Sequence, residues 1–267
     1  MTGASTTSAA AGAGTMRIDV ITLFPELFSA HLVHGVTRRA FEPGRVEVHL
    51  WPLRDFGDPP HARVDDRPYG GGPGMVLLVE PLERALAAIR TARAEATPAP
   101  LVSFSPAGAL LRQATVARFA AGAGAILLCA RYEGIDQRFI DAHVDLELSI
   151  GDYVLSGGEL PALVLLDALA RLQPGVLGDA RSHQQDSFSA GLLDCPHFSR
   201  PERLADGAAV PDVLMSGNHA AIDAWRREQS LALTAERRPD LLAGARAQGL
   251  LTAVDEAYLA RRTPAKL

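Results

Sequence analysis

Strands alternating with helices through the first two thirds of the chain, then a last third with no recognisable strand, predict an α/β fold. It should hold a parallel sheet and a small all-helical C-terminal domain. Three observations carry this. The run Ala125-Ile-Leu-Leu-Cys129 is apolar at every position, as in a central parallel strand covered on both faces. Loops 103–108, 130–136 and 150–158 each follow directly on a predicted strand, so they should converge on one crevice at the strand C-terminal ends. From Gly191 onward the alternation of period two disappears.

In chain order, Met16–Phe24 is alternating and β-branched, a first strand. Pro25-Glu26 opens a short helix predicted to run to about Arg39, and Arg45–Trp51 is a second strand. Residues 52–74 look like loop, ending in Asp65-Asp-Arg-Pro-Tyr-Gly-Gly-Gly-Pro-Gly-Met75. A helix is expected over Leu82–Ala94, and a short strand over Leu101–Phe104 that breaks at Ser105-Pro106-Ala107-Gly108. Thr115–Ala121 is helical, and after the 125–129 strand the loop Arg131-Tyr-Glu-Gly-Ile-Asp136 leads into a helix to about His143. Val144–Ser149 is one more strand. It empties into Ile150-Gly-Asp-Tyr-Val-Leu-Ser-Gly-Gly158, a loop whose glycines let backbone groups wrap a flat ligand such as an adenine ring. Pro161 suits the first turn of the helix that follows, to about Ala170. Residues 173–187 are polar and turn-rich. Asn218 stands where an N-cap belongs before the helix Ala220–Leu233, with Ile222, Trp225 and Leu233 on one face and Arg226 and Arg227 turned elsewhere.

At 267 residues and 48% hydrophobic content, the chain can bury a sizeable core, yet no apolar run reaches the roughly 20 residues of a membrane helix. The expectation is a protein with no membrane partner. Cys129 and Cys195 are too few for a disulfide framework and lack zinc-like spacing, which suits a reducing cytoplasm. Residues 1–15, rich in Ala, Gly, Ser and Thr and without charge, read as a disordered extension rather than a signal peptide. The net charge of −5 falls entirely on residues 1–190, since residues 191–267 hold 10 basic and 10 acidic residues. Every basic residue but Lys266 is arginine, the better fork for phosphate, and the pair Arg226-Arg227 lies in this last third. A local arginine face therefore stays open.

Two common phosphate motifs are excluded. Gly70-Gly-Gly-Pro-Gly74 has no lysine for a Walker A loop, and no Gly-x-Gly-x-x-Gly follows the first strand. Taken together, Asp65–Met75, Arg131–Asp136, Ser149–Pro161, Asp186-Ser-Phe188 with Gly191-Leu-Leu-Asp-Cys-Pro-His197, Leu23-Phe-Pro-Glu26 and Ser216-Gly-Asn-His-Ala220 resemble the bacterial tRNA (guanine-N1)-methyltransferases. The resemblance runs from Met16 to about Asp240.

That resemblance implies a SPOUT-type parallel sheet with a C-terminal deep trefoil knot whose loops bind S-adenosylmethionine. It also implies a homodimer with a composite active site, and N1-methylguanosine at tRNA position 37 as product. On this sequence it implies a general base at Asp186 and a partner for guanine O6 at Arg171. It implies donor-binding positions at Ser105, Ala130, Tyr132, Glu133, Ile150, Gly151, Tyr153, Val154, Leu155, Gly157, Gly158 and Pro161. Candidates for RNA contact are Asp66 and Gly74, near the target base, and Asn218, His219, Arg226 and Arg227 in the helical part. The chemistry is compatible, because guanine N1 must lose a proton, which a carboxylate can accept, and the charge left on O6 suits a guanidinium. From the residues alone, Asp186 reads first as a solvated linker acid, and Arg171 could be a helix-end cation, Glu133 a loop carboxylate and Tyr153 a core aromatic. Magnesium is a further cofactor the resemblance leaves open, with no ligand set in the sequence.

Two departures stand out: Ala130 where the family commonly has Gly, and Ala107 where it has a longer polar residue. Both are expected to tune donor affinity. The domain reading is an extension over 1–15, a catalytic domain over 16–175, a linker over 176–190 and a tRNA-binding domain over 191–267. Two rivals remain: a knotted methyltransferase acting on another RNA position or on ribose, and an RNA-binding module without catalysis.

Overall fold

A computed structural model describes residues 15–94, 99–178 and 185–262. The extension expected over 1–15 lies almost wholly outside these, and the expected linker lies partly so. The chain divides into two compact units, 1–177 and 178–267.

The first unit is built on five parallel strands: β1 (Met16–Thr22), β2 (Val46–Pro52), β5 (Leu101–Leu110), β6 (Gly124–Leu128) and β7 (Leu146–Ser149), in the order β2-β1-β6-β5-β7. A two-residue antiparallel ladder, β3 (Asp65–Asp66) with β4 (Val76–Leu77), closes the stretch expected to be loop. Its helices are α1 (Glu26–Val33), α2 (Val79–Arg93), α3 (Gln113–Ala120), α4 (Gln137–His143) and α5 (Glu159–Arg171).

Period-two alternation sorts the strand residues between two cores. Ile18, Val20, Ala125, Leu127 and Cys129 pack with Phe28, Val116, Leu165 and Leu169 of α1, α3 and α5. Ile21, Ile126 and Leu128 pack on the other face with Leu82, Leu86 and Ile89 of α2 and Phe139 of α4. Both faces of the sheet are thus covered, which is why β6 is apolar throughout. Two polar residues of β1, Asp19 and Thr22, are wholly buried, and Asp19 is the charged one. It accepts bonds from Arg17, from Trp51 Nε1 (2.7 Å) and from Arg93 Nη1 (2.6 Å), so one carboxylate ties β1 to β2 and α2.

Among the boundaries that differ from the expectation, three have a local cause. The helix predicted to reach Arg39 stops at Val33, because Gly35 takes a φ of 74° and the chain restarts as a 3₁₀ turn over Val36–Phe41. The strand predicted to break at 105–108 bulges there and resumes: Phe104 and Ala109 both pair with Leu148. Gly108 permits this, since a Cβ would come 2.5 Å from the Glu147 backbone. Helix α5 begins two residues before Pro161, which sits in the first turn where its missing N–H costs nothing.

The described part of the second unit holds helices α6 (Asp212–Met215), α7 (His219–Arg237), α8 (Pro239–Ala247) and α9 (Ala253–Arg261), and no named strand. Asn218 caps α7, its Oδ1 accepting from Ala221 N at 3.2 Å. The packed face of α7 carries Ile222, Leu231 and Thr234 rather than the expected Trp225 and Leu233. Leu231 joins Leu192, Leu242 and Ala245, and Trp225 instead lies beside the Phe198 ring, 6.1 Å between centroids. Among the described residues, no helix is long and apolar enough to cross a membrane.

Candidate functional site

The bulge of β5 and the loops after β6 and β7 line one cavity of about 420 Å³, on three neighbouring strands of the sheet. All twelve positions assigned to donor binding line it. From the β5 bulge comes Ser105, whose hydroxyl accepts the Ala107 N–H at 3.1 Å. From the loop after β6 come Ala130, Tyr132 and Glu133, with Tyr132 held at a φ of 58°. From the loop after β7 come Ile150, Gly151, Tyr153, Val154, Leu155, Gly157 and Gly158, and Pro161 follows from the first turn of α5.

Space dictates the glycines of the last loop. A Cβ at Gly158 would lie 2.7 Å from Cys129 Cα, where the Gly158 N–H donates to Ala130 O at 2.8 Å. At Gly151 the φ is 147°, and a Cβ would meet the Tyr153 ring edge at 2.5 Å. Tyr153 itself is 54% exposed, with its hydroxyl donating to Ile150 O, so it is a wall of the cavity and not core. The methyl of Ala130 faces the same space.

Glu133 is buttressed from the 65–75 loop. Its N–H donates to Met75 O at 2.9 Å, and Gly74 packs so tightly on its side chain that a Cβ there would overlap it. This places Gly74 at the cavity's edge. Asp66 stands exposed on β3. Its Oδ1 accepts the Arg67 N–H at 2.8 Å and its other oxygen pairs with Arg63, and these partners hold its carboxyl below the ordinary carboxylate range.

Arg171 closes the last turn of α5 in the first unit. Asp186 belongs to the second unit, where its carbonyl accepts the Ser189 N–H at 3.2 Å and starts a turn. In that unit His219 is exposed at the start of α7, beside the capping Asn218. Arg226 is half-exposed, with Asp223 at 4.0 Å. Arg227 requires a correction. The helical pattern turns it away from the face of Ile222, Trp225 and Leu233, yet its guanidinium holds Asp255 through both oxygens and donates to Leu250 O at 3.3 Å. It joins α7 to α9 as a packing residue.

Sequence reasoning missed Gln137 and Ile140 of α4 and Glu147 of β7, which also line the cavity. The one signal for Gln137 was Asp136, which caps α4 by accepting Arg138 N at 2.9 Å and so points the helix's first turn at the loop. Among the described residues, one group could ligate a metal: Asp194, Cys195 and His197, with ligand atoms within 4.8 Å of one another. A thiol and an imidazole do not match the oxygen-rich, octahedral demands of magnesium. Burial, with Asp194 alongside, raises the Cys195 thiol above its ordinary value and keeps it protonated at neutral pH.

Fold and cavity together define an α/β protein with a parallel sheet and one pocket at the C-terminal ends of its strands. Residues 16–244 match the family model described as tRNA (Guanine-1)-methyltransferase TrmD. The chain is 68% identical over 248 residues to the tRNA (guanine-N(1)-)-methyltransferase of Methylibium petroleiphilum, covering 91% of this chain and 97% of that one. It is 67% identical over 247 residues to the protein of the same name from Leptothrix cholodnii, covering 92% and 98%. This chain belongs to the tRNA (guanine-N1)-methyltransferase family.

Proposed function

We propose that this protein transfers a methyl group from S-adenosylmethionine to N1 of guanosine 37 in tRNA. The observation that carries the reading is the convergence of all twelve donor-binding candidates, from three separated stretches, on one cavity of about 420 Å³. That volume is in the range of small-molecule sites, and the glycines of the last loop keep that wall free of side chains where a flat ring would lie. The Glu133 carboxylate suits the cationic end of the donor. When bound, S-adenosylmethionine supplies a methyl on a sulfonium leaving group.

Asp186 accepts the N1 proton of guanine as a general base, which makes N1 nucleophilic. Arg171 stabilises the negative charge that this places on O6. The loop Asp65–Met75, abutting Glu133 through Gly74, lies where it can border the target base. In this reading residues 16–175 are the catalytic domain of SPOUT type, with loop 150–158 and α5 completing the deep trefoil knot. Residues 176–190 are the linker, and 191–267 grip tRNA through Asn218, His219 and Arg226. The place of work is the cytoplasm.

A homodimer with a shared active site is part of the proposal. Its support is the outer face of α5 and the loop before it, where the exposed Leu155, Leu160 and Val164 line one shallow apolar groove.

The test is methyl transfer from labelled donor to tRNA transcripts carrying guanine or adenine at position 37, with wild type and Asp186→Ala. Label confined to the guanine transcript, and falling by about 10²–10⁴ in the variant, supports target and base together. Label on the adenine transcript moves the target elsewhere. Full activity in the variant favours another target such as ribose, whose hydroxyl proton would be taken by a group other than Asp186.

A further inference from the structure

Beneath the donor cavity lies a polar network that methyl transfer itself does not use. Glu159, the first residue of α5, is wholly buried. Its Oε1 accepts from Thr22 Oγ1 at 2.9 Å and its Oε2 from Arg131 Nε at 2.8 Å. Arg131 Nη1 goes on to Ser156, donating to its carbonyl at 3.2 Å and its hydroxyl at 3.3 Å. The guanidinium lies over the Phe24 ring, 4.5 Å from the centroid, and the Phe24 N–H donates to Thr22 Oγ1 at 3.0 Å.

A buried ion pair adds little net stability over an apolar pair of the same shape, but it selects one geometry. The geometry selected here is that of the cavity. Arg131 and Ser156 belong to two of its three loops, which meet as an antiparallel bridge between Arg131 and Gly157. Gly157 has no room for a side chain because the ion pair fills it: a Cβ would overlap Arg131 Nε and come 2.7 Å from Glu159 Oε2.

We infer that Glu159 is a positioning residue for the methyl donor. Through Arg131 it holds the backbone of 156–158 against that of 130–132, so the cradle is formed before the donor arrives. Thr22 aims the carboxylate from the end of β1. The inference rests on reading the cavity as the donor site.

Preorganisation of this kind shows in donor affinity and not in tRNA affinity. The experiment measures equilibrium binding of S-adenosylmethionine and of tRNA to the full chain, with thermal melts alongside, for wild type, Glu159→Gln, Thr22→Val and the double variant. Glu159→Gln keeps the shape and removes the charge. It is expected to raise the donor dissociation constant about tenfold, as loss of a charge-assisted bond implies, with tRNA binding within about twofold. Thr22→Val should raise it about threefold. The double variant should be no worse than Glu159→Gln, because the two residues act as one unit. A folded Glu159→Gln with wild-type donor affinity overturns the inference, whatever its melting temperature. Should that variant not fold, unchanged donor affinity in Thr22→Val overturns it equally. Wild type that binds no donor overturns the site reading itself, a distinguishable result.

Discussion

Arg227 holds Asp255 through two parallel bonds, Nε to Oδ1 at 3.1 Å and Nη2 to Oδ2 at 2.9 Å. The same carboxylate accepts the Thr252 N–H at 2.8 Å, while the Thr252 hydroxyl accepts the Asp255 N–H, so one side chain both caps α9 and ties it to α7. Arg227, against the opposing effect of burial, brings the Asp255 carboxyl down from its ordinary 3.8 to about 2.

The folded carboxyl titrates below the unfolded one, so its contribution is complete above about pH 4 and is lost as pH falls through 2. Asp255→Asn should therefore cost about 1–3 kcal/mol near neutral pH, and less as pH falls from 4 to 2. Urea or thermal unfolding of both proteins across that window measures it. A deficit constant with pH would mean that packing, not the ion pair, carries the effect.

The two neighbouring arginines should separate in function. Arg227→Ala is expected to lower the melting temperature by several degrees, as loss of a partly buried pair does. Arg226→Ala should leave stability within about 0.5 kcal/mol, weaken tRNA binding and reduce the slope of log K against log salt by about one unit. Filter binding at several salt concentrations, with melts on the same preparations, distinguishes them.

Gly158 tests the cavity directly. Its missing Cβ is what lets the loop after β7 lie on Cys129 and Ala130. Gly158→Ala must push the loop outward, costing about 1–3 kcal/mol as overpacking does. It should also weaken donor binding at least about tenfold while tRNA still binds. Calorimetric titration with S-adenosylmethionine reads this, and unaltered affinity would place the donor elsewhere.

The Asp19 node is expected to be structural only. Asp19→Ala removes the buried carboxylate shared by Arg17, Trp51 and Arg93 and should cost about 3–5 kcal/mol by chemical unfolding. The fraction that remains folded should bind donor with wild-type affinity, since Asp19 faces α2 and not the cavity.

Much of this was legible in the residues. The alternation of strands and helices, the apolar β6, the cap at Asn218 and the words shared with the family depend on local pattern, and local pattern is what a chain displays without folding. So the parallel sheet, the enzyme family and the twelve cavity positions could be read from the sequence. Tertiary structure alone decided the rest. Strand order, the resumption of β5 at Ala109 and the joining of Thr22 to Glu159 across more than 130 residues depend on which backbones approach closely. The same holds for Arg227, which helical periodicity turned away from the packed face. A guanidinium on a long side chain reaches past its own helix, and only the position of Asp255 on α9 determined what it would grip.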